Sequence, residues 1–140
     1  NRNLKRKSHS VLDKGYTLKR CSYYNEKISE LKDIHLFNKI DNVVTNYAYY
    51  PIIVDNKTDG ISRDGLYKYL RSKEIYSRKY FYPITADQAC FKNKYRNNQL
   101  DNARELSDKI LVLPFYEDIQ KSEMDRVIDG IYEYVNIGRD

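Results

Sequence analysis

Between Tyr47 and Val54 the chain reads Tyr-Ala-Tyr-Tyr-Pro-Ile-Ile-Val and then runs into Asp55-Asn56-Lys57-Thr58-Asp59-Gly60. Aromatic and β-branched side chains suit a pleated, half-buried surface, and the cluster behind them is made of residues that favour tight turns. A strand closed by a turn is therefore predicted here. Pro51 has no backbone N–H to give to a ladder, which predicts an edge strand or a bulge at that point.

The segments on either side carry helical and strand-like periods. Leu18, Cys21, Tyr24, Ile28 and Leu31 recur at spacings of three and four, which predicts an amphipathic helix from Tyr16 to about Leu31. Ser62 is placed to cap a second helix, with Asp64 in its first turn, Leu66, Tyr67 and Leu70 as its apolar face and an end near Ser72. Ile75 to Phe81 is predicted to be a second strand ended by Pro83, and residues 84 to 99 are polar and irregular. A short helix from Leu100 to Ser107 would present Leu100, Ala103 and Leu106, and Ile110 to Leu113 forms a compact buried strand before Pro114. Ser122 followed by Asp125 resembles a capping box for a final helix with Met124, Val127, Ile128, Ile131 and Val135 inward. The expected fold class is α/β, a small sheet of about three strands with helices packed on it.

The chain has 140 residues, enough for one domain with its own core. No stretch approaches the roughly 20 apolar residues of a membrane helix. Cys21 and Cys90 stand 69 positions apart, without the paired spacing of a disulfide framework or zinc ribbon. A soluble protein in a reducing cytoplasm is the expectation. The net charge of +5 would suggest nucleic acid until it is located. Residues 1 to 20 hold seven bases and one acid, and the remaining 120 hold eighteen bases and nineteen acids. Residues 1 to 15 are therefore expected to be a basic lead-in, disordered or frayed, and residues 16 to 137 the domain itself.

Of fifteen tyrosines, eight fall between Tyr47 and Tyr82, a density that strand and helix faces can absorb by packing alone. The five glycines never take a dinucleotide or P-loop spacing. Asp55, Asp59 and Gly60 match part of a calcium loop, but Lys57 occupies a ligand position and Leu66 stands where the closing acid belongs. His9 and His35 share no ligand spacing with the cysteines, so no metal site is expected. No nucleophile–base pair is suggested, and no catalytic residue is assigned.

Four stretches, taken in order, resemble the C-terminal part of the DegT/DnrJ/StrS family of sugar aminotransferases: Asn46 to Ile52, Arg63 to Leu70, Ile75 to Pro83, and Ala103 to Ser107 continued by Ile110 to Tyr116. The aromatic run before Pro83 is similar to that of members that aminate dTDP-linked keto-deoxyhexoses. The resemblance implies the small domain of a fold-type-I transaminase, cut off from a larger domain that holds pyridoxal phosphate as a Schiff base on a lysine. None of Lys92, Lys94 or Lys109 sits in a matching motif, so the chain alone is expected to bind no cofactor and to be inert. A nucleotide-linked sugar and a homodimer partner are implied for the full-length enzyme. The substrate is expected at Arg78, Tyr80, Tyr82 and Thr85, where many relatives carry a histidine at the position of Thr85. Packing of Tyr80 and Tyr82 along one strand face is the alternative.

A different class of function, a stand-alone module for nucleic acid or protein, would use the basic first residues and stack bases on exposed tyrosines. The electrically balanced body argues against it, since non-specific affinity for nucleic acid comes from a charged groove. No membrane partner and no specific nucleic acid are expected.

Overall fold

A computed structural model describes residues 14–37, 40–43, 45–56, 60–91 and 100–139. The basic segment at 1 to 13 with His9, the turn residues Lys57, Thr58 and Asp59, and Lys92 and Lys94 lie outside the described residues. Four helices and three strands run in the order α1 (Lys14–Ile28), β1 (Ile34–Leu36), β2 (Tyr50–Val54), α2 (Arg63–Ser72), α3 (Asp101–Lys109), β3 (Ile110–Leu113) and α4 (Lys121–Ile137). The sheet is antiparallel throughout, with β2 between β1 and β3. No helix among the described residues is long and apolar enough to cross a membrane.

The α/β class and the three-stranded sheet agree with the sequence reading, but Pro51 does not mark an edge. It lies in the middle strand, opposite Val112. The Val112 N–H and carbonyl both bond Arg78 on the far side of β3, at 2.8 and 2.9 Å. Pro51 and Val112 therefore form a pair without hydrogen bonds between them, and the Pro51 nitrogen points toward β1. There β1 has ended, since Leu36 pairs with Ile52. The missing donor costs the sheet nothing.

Tyr50, Ile52 and Val54 alternate inward along β2 and meet Leu111 and Leu113 of β3 in one core, which α1, α2 and α4 complete together with Ile34 of β1 and the loop residues Leu31, Ile61, Ile75 and Ile119. In α1 the buried stripe is Thr17, Cys21, Tyr24 and Ile28, continued by Leu31, while Leu18 is exposed. Burial pushes the Cys21 thiol up to about 11. The Tyr24 and Tyr50 phenols are also raised by burial, and they bond the Pro114 carbonyl and the Asn25 side chain at 3.1 and 2.6 Å.

The helix starts follow capping chemistry. Ser62 Oγ accepts the Gly65 N–H at 3.1 Å, as expected for α2. In α4 the cap is Gln120 rather than Ser122: the Glu123 carboxylate accepts the Gln120 N–H at 2.8 Å, closing a box one residue type away from the usual Ser or Thr. Met124, Val127, Ile128, Ile131 and Val135 face inward as the period requires. In α3 the buried residue is Ser107, whereas Ala103 and Leu106 are exposed, so the apolar stripe expected to pack turns outward.

Candidate functional site

The segment after α2 keeps a strand's alternation without becoming one. Ile75 and Ser77 are buried while Tyr76 and Arg78 are exposed. Only Arg78 joins the sheet, through a single antiparallel bridge to Val112. The expected strand Ile75 to Phe81 is thus reduced to one residue, because the chain turns away at Tyr80 and Phe81.

Tyr80 donates its hydroxyl to that of Tyr49 at 2.8 Å, with ring centroids 4.8 Å apart. This shared proton raises the Tyr80 phenol above its ordinary value. Phe81 is 71% exposed, and its carbonyl accepts the Ser107 hydroxyl at 3.2 Å. Tyr82 is 46% exposed and lies over two cations, with Arg63 Cζ 4.4 Å and Lys79 Nζ 5.5 Å from its ring centre. Tyr80 and Tyr82 therefore rest on different partners and do not pack together along one strand face. Thr85 is exposed and opens a 3-10 turn to Asp87, which Arg104 clamps at 2.9 Å.

Arg63 is one residue that sequence reasoning missed. It is 2% exposed, and its guanidinium donates to the Ser107 carbonyl at 2.8 Å and the Ile110 carbonyl at 3.4 Å. It ties the start of α2 to the end of α3, and Tyr82 closes over it. Asp64 accompanies it, 2.5 Å from Arg63 and 2.8 Å from Lys79. Partial burial works to raise the Asp64 carboxyl, but the bonds and charges of Lys79 and Arg63 together hold it below its usual range. In sequence, an arginine in a helix's first turn reads as a solvated charge.

Two clefts flank Arg78. One, of about 450 Å³, has a floor of Leu113, Phe115, Ile119 and Val127 and is rimmed by Arg126 and Glu123. The other, wider open and of about 550 Å³, lies between α2 and the 76–80 segment, with Tyr67 and Arg71 on one wall and Ser77 to Tyr80 on the other. Arg78 and Tyr80 share the second cleft, Tyr82 sits next to it over Lys79, and Thr85 lines neither.

A Schiff-base site for pyridoxal phosphate needs a lysine opening freely into a cleft. Of the lysines among the described residues only Lys79 lines either cleft, and it is bound to Asp64. Lys109 is paired with Glu105 at 2.6 Å on the surface. The described residues do not fit such a site, and no cofactor step is assigned to them. Among the described residues no group of three or more His, Cys, Asp or Glu could hold a metal ion; His35 lies 3.5 Å from Asp55 alone.

Among solved structures, that of DesI in the presence of its TDP-sugar product superposes with a TM-score of 0.80 at 22% identity, covering 88% of this chain and 31% of that one. A dTDP-4-amino-4,6-dideoxy-D-glucose transaminase of Escherichia coli is 34% identical over 105 residues, 71% of this chain and 27% of that protein. A transaminase of the same name from Shigella dysenteriae is 29% identical over 111 residues, 79% of this chain and 30% of that protein. The chain thus spans less than a third of the curated relatives it matches. Residues 15–132 match one family description across α1, the sheet and most of α4. On that match, which covers most of the chain, the chain belongs to the DegT/DnrJ/EryC1/StrS aminotransferase family.

Proposed function

We propose that the chain is the C-terminal small domain, residues 16 to 137, of a pyridoxal-phosphate-dependent aminotransferase acting on a dTDP-linked keto-deoxysugar, in the making of deoxysugars or surface polysaccharide. A larger upstream domain would hold the cofactor and its lysine, and a second copy would complete the dimer. The cofactor supplies the electron sink for amino transfer when bound, and this domain supplies a wall that orients the sugar.

The observation that carries the proposal is the rim formed by Tyr49, Tyr80, Phe81 and Tyr82 beside Arg78. The domain's own core is closed without these rings: Tyr49, Phe81 and Tyr82 are exposed, and the half-buried Tyr80 touches both Tyr49 and Phe81. Phenol hydroxyls can donate to or accept from sugar hydroxyls, and the rings cover its apolar face. The printed activities of the two transaminase relatives support the substrate class.

The test uses the polypeptide in which this domain is joined to its cofactor domain, loaded in the pyridoxamine form. Addition of dTDP-4-keto-6-deoxyglucose should convert the pyridoxamine absorption to that of pyridoxal phosphate in a single turnover. An enzyme that transaminates amino acids but leaves the nucleotide sugar untouched would refute the proposal.

A further inference from the structure

Arg63 is the largest fully buried side chain among the described residues, and nothing in the function proposed above uses its charge. A staple between α2 and α3 could be made by an apolar side chain of similar size, without the cost of taking a guanidinium out of water. What the guanidinium holds is more than the two helices.

Its Nη1 donates to the carbonyls of Ser107, in the last turn of α3, and of Ile110, the residue that caps it. A helix end gathers partial negative charge on its last carbonyls, so the cation is favoured there. Ser107, itself buried, donates its hydroxyl to the Phe81 carbonyl at 3.2 Å. Over the guanidinium lies the Tyr82 ring, its centre 4.4 Å from Cζ. Asp64 Oδ1 is 2.5 Å from Arg63 and 2.8 Å from Lys79, whose Nζ is 5.5 Å from the same ring centre. Two cations thus share one carboxylate, and the electron-rich face of the ring takes up charge that the acid leaves over. Neither Phe81 nor Tyr82 packs against the apolar core. They are seated on the domain by the Ser107 hydroxyl and by the cations beneath Tyr82.

We propose that Arg63 is a positioning residue for the sugar wall. It seats the Tyr82 ring from beneath and, through Ser107, fixes the Phe81 carbonyl, so that the Tyr82 hydroxyl is held out to the sugar in one orientation. A hydroxyl ordered in advance spends no binding energy on being ordered by the substrate. That Tyr82 meets the sugar rests on the function proposed above. That Arg63 and Ser107 seat the 80–82 segment does not.

The first measurement is limited proteolysis of the 140-residue chain with chymotrypsin, reading the cuts after Tyr80 and Phe81 by mass. Such cleavage follows the population of the opened segment. Ser107→Ala removes the bond to the Phe81 carbonyl and leaves the Ser107 carbonyl to accept from Arg63, so it should raise those cuts about threefold, the scale of one neutral hydrogen bond, with cuts elsewhere unchanged. The second follows the two half-reactions separately in the polypeptide joined to its cofactor domain. Arg63→Lys keeps the charge without the planar fork. It should lower kcat/KM for dTDP-4-keto-6-deoxyglucose about tenfold, and Ser107→Ala about threefold, while the half-reaction with the amino donor stays as it was. A purely structural role would move both halves alike. In a Tyr82→Leu background Arg63→Lys should cost the sugar half-reaction less than about twofold more, because the ring it seats is gone. Where Arg63→Lys does not fold, Ser107→Ala decides both measurements.

The proposal is overturned if the donor half-reaction falls as far as the sugar half-reaction, or if the loss from Arg63→Lys is undiminished without the ring. A Ser107→Ala chain whose cuts are unchanged, or rise equally at every site, overturns it too, as does a sugar half-reaction that this variant leaves untouched in an enzyme that takes the sugar. A parent enzyme that ignores the sugar, with the cuts behaving as expected, would sink the proposed function and leave the seating of the 80–82 segment standing.

Discussion

The ring of Tyr82 lies across the guanidinium of Arg63, with the Arg63 Cζ 4.4 Å from the ring centre, so a half-exposed aromatic closes over a cation that is otherwise shut inside the domain. That contact belongs to the ring. The Tyr82 hydroxyl has no hydrogen-bond partner among the described residues, which leaves it free for a substrate. Tyr82→Phe should therefore leave thermal stability within about 0.5 kcal/mol of the parent, as for a surface change that breaks nothing. In the complete enzyme it should lower the specificity constant for the sugar several-fold, equivalent to about 0.5–1.5 kcal/mol for one neutral hydrogen bond, with cofactor still bound. Melting curves and steady-state kinetics on the one variant decide the matter: a lowered melting temperature with unchanged kinetics would remove Tyr82 from the substrate wall.

Tyr134 in α4 accepts the Ser62 N–H at 3.1 Å and donates to the Gly60 carbonyl at 3.0 Å. Tyr134→Phe orphans that N–H and should cost about 1–3 kcal/mol in urea unfolding. A Cβ at Gly65 would come within 2.1 Å of the same hydroxyl, so Gly65→Ala must displace the phenol. The two substitutions should be less than additive, because once the hydroxyl is gone the closest contact is removed and the added methyl meets the Tyr134 ring carbon and Ser62 Oγ, each at 3.0 Å. Full additivity would mean that the phenol does not hold the start of α2.

The two thiols should separate cleanly. Cys90 is exposed, whereas Cys21 is buried, its pKa pushed up from 9.0 to about 11 by the same burial. A thiol reagent near neutral pH should label one cysteine promptly and the second only on unfolding, as read by intact mass. The sign of the accompanying pH effect follows from the raised value. The fold favours the neutral thiol, so this contribution to stability is fully present below pH 9.0 and is lost as pH rises toward about 11. A Cys21 that reacts as fast as Cys90 in the folded chain would contradict the packing of α1.

Incubation with pyridoxal phosphate followed by borohydride should leave no stoichiometric adduct on the 140-residue chain. Lys79 is held by Asp64, and Lys73, Lys109 and Lys121 are paired with Glu133, Glu105 and Asp125. A single fully modified lysine in the mass spectrum, together with transaminase turnover, would show that the chain carries its own cofactor site.

Much of this fold was legible because local chemistry and tertiary packing ask for the same residues. The run into Val54, the Ser62 cap and the inward stripe of α4 satisfy both demands. The three residues of β1 were not legible, since Ile34-His35-Leu36 is too short to show a period. The alternation from Ile75 was read as a strand running to Phe81, but pairing depends on a neighbour, and only Arg78 finds one, at Val112. Ala103 and Leu106 have a helical spacing that packing inside this domain does not use. At the candidate site, Arg78 and Tyr80 were expected from the family resemblance of the stretch that carries them. Arg63 and Arg71 were not, because they reach the site from α2, and only the folded chain brings α2 there.

The bond from Tyr134 to Ser62 also sets an order of events during synthesis. A ribosome delivers α2 well before α4, so until the last helix has cleared the exit tunnel the first turn of α2 lacks its clamp, and Leu66 and Leu70 lack the helix that covers them. A nascent chain arrested just short of Tyr134 would present that bare face to chaperones, and release of the final turns would be the step that hides it. The domain closes from its end backwards.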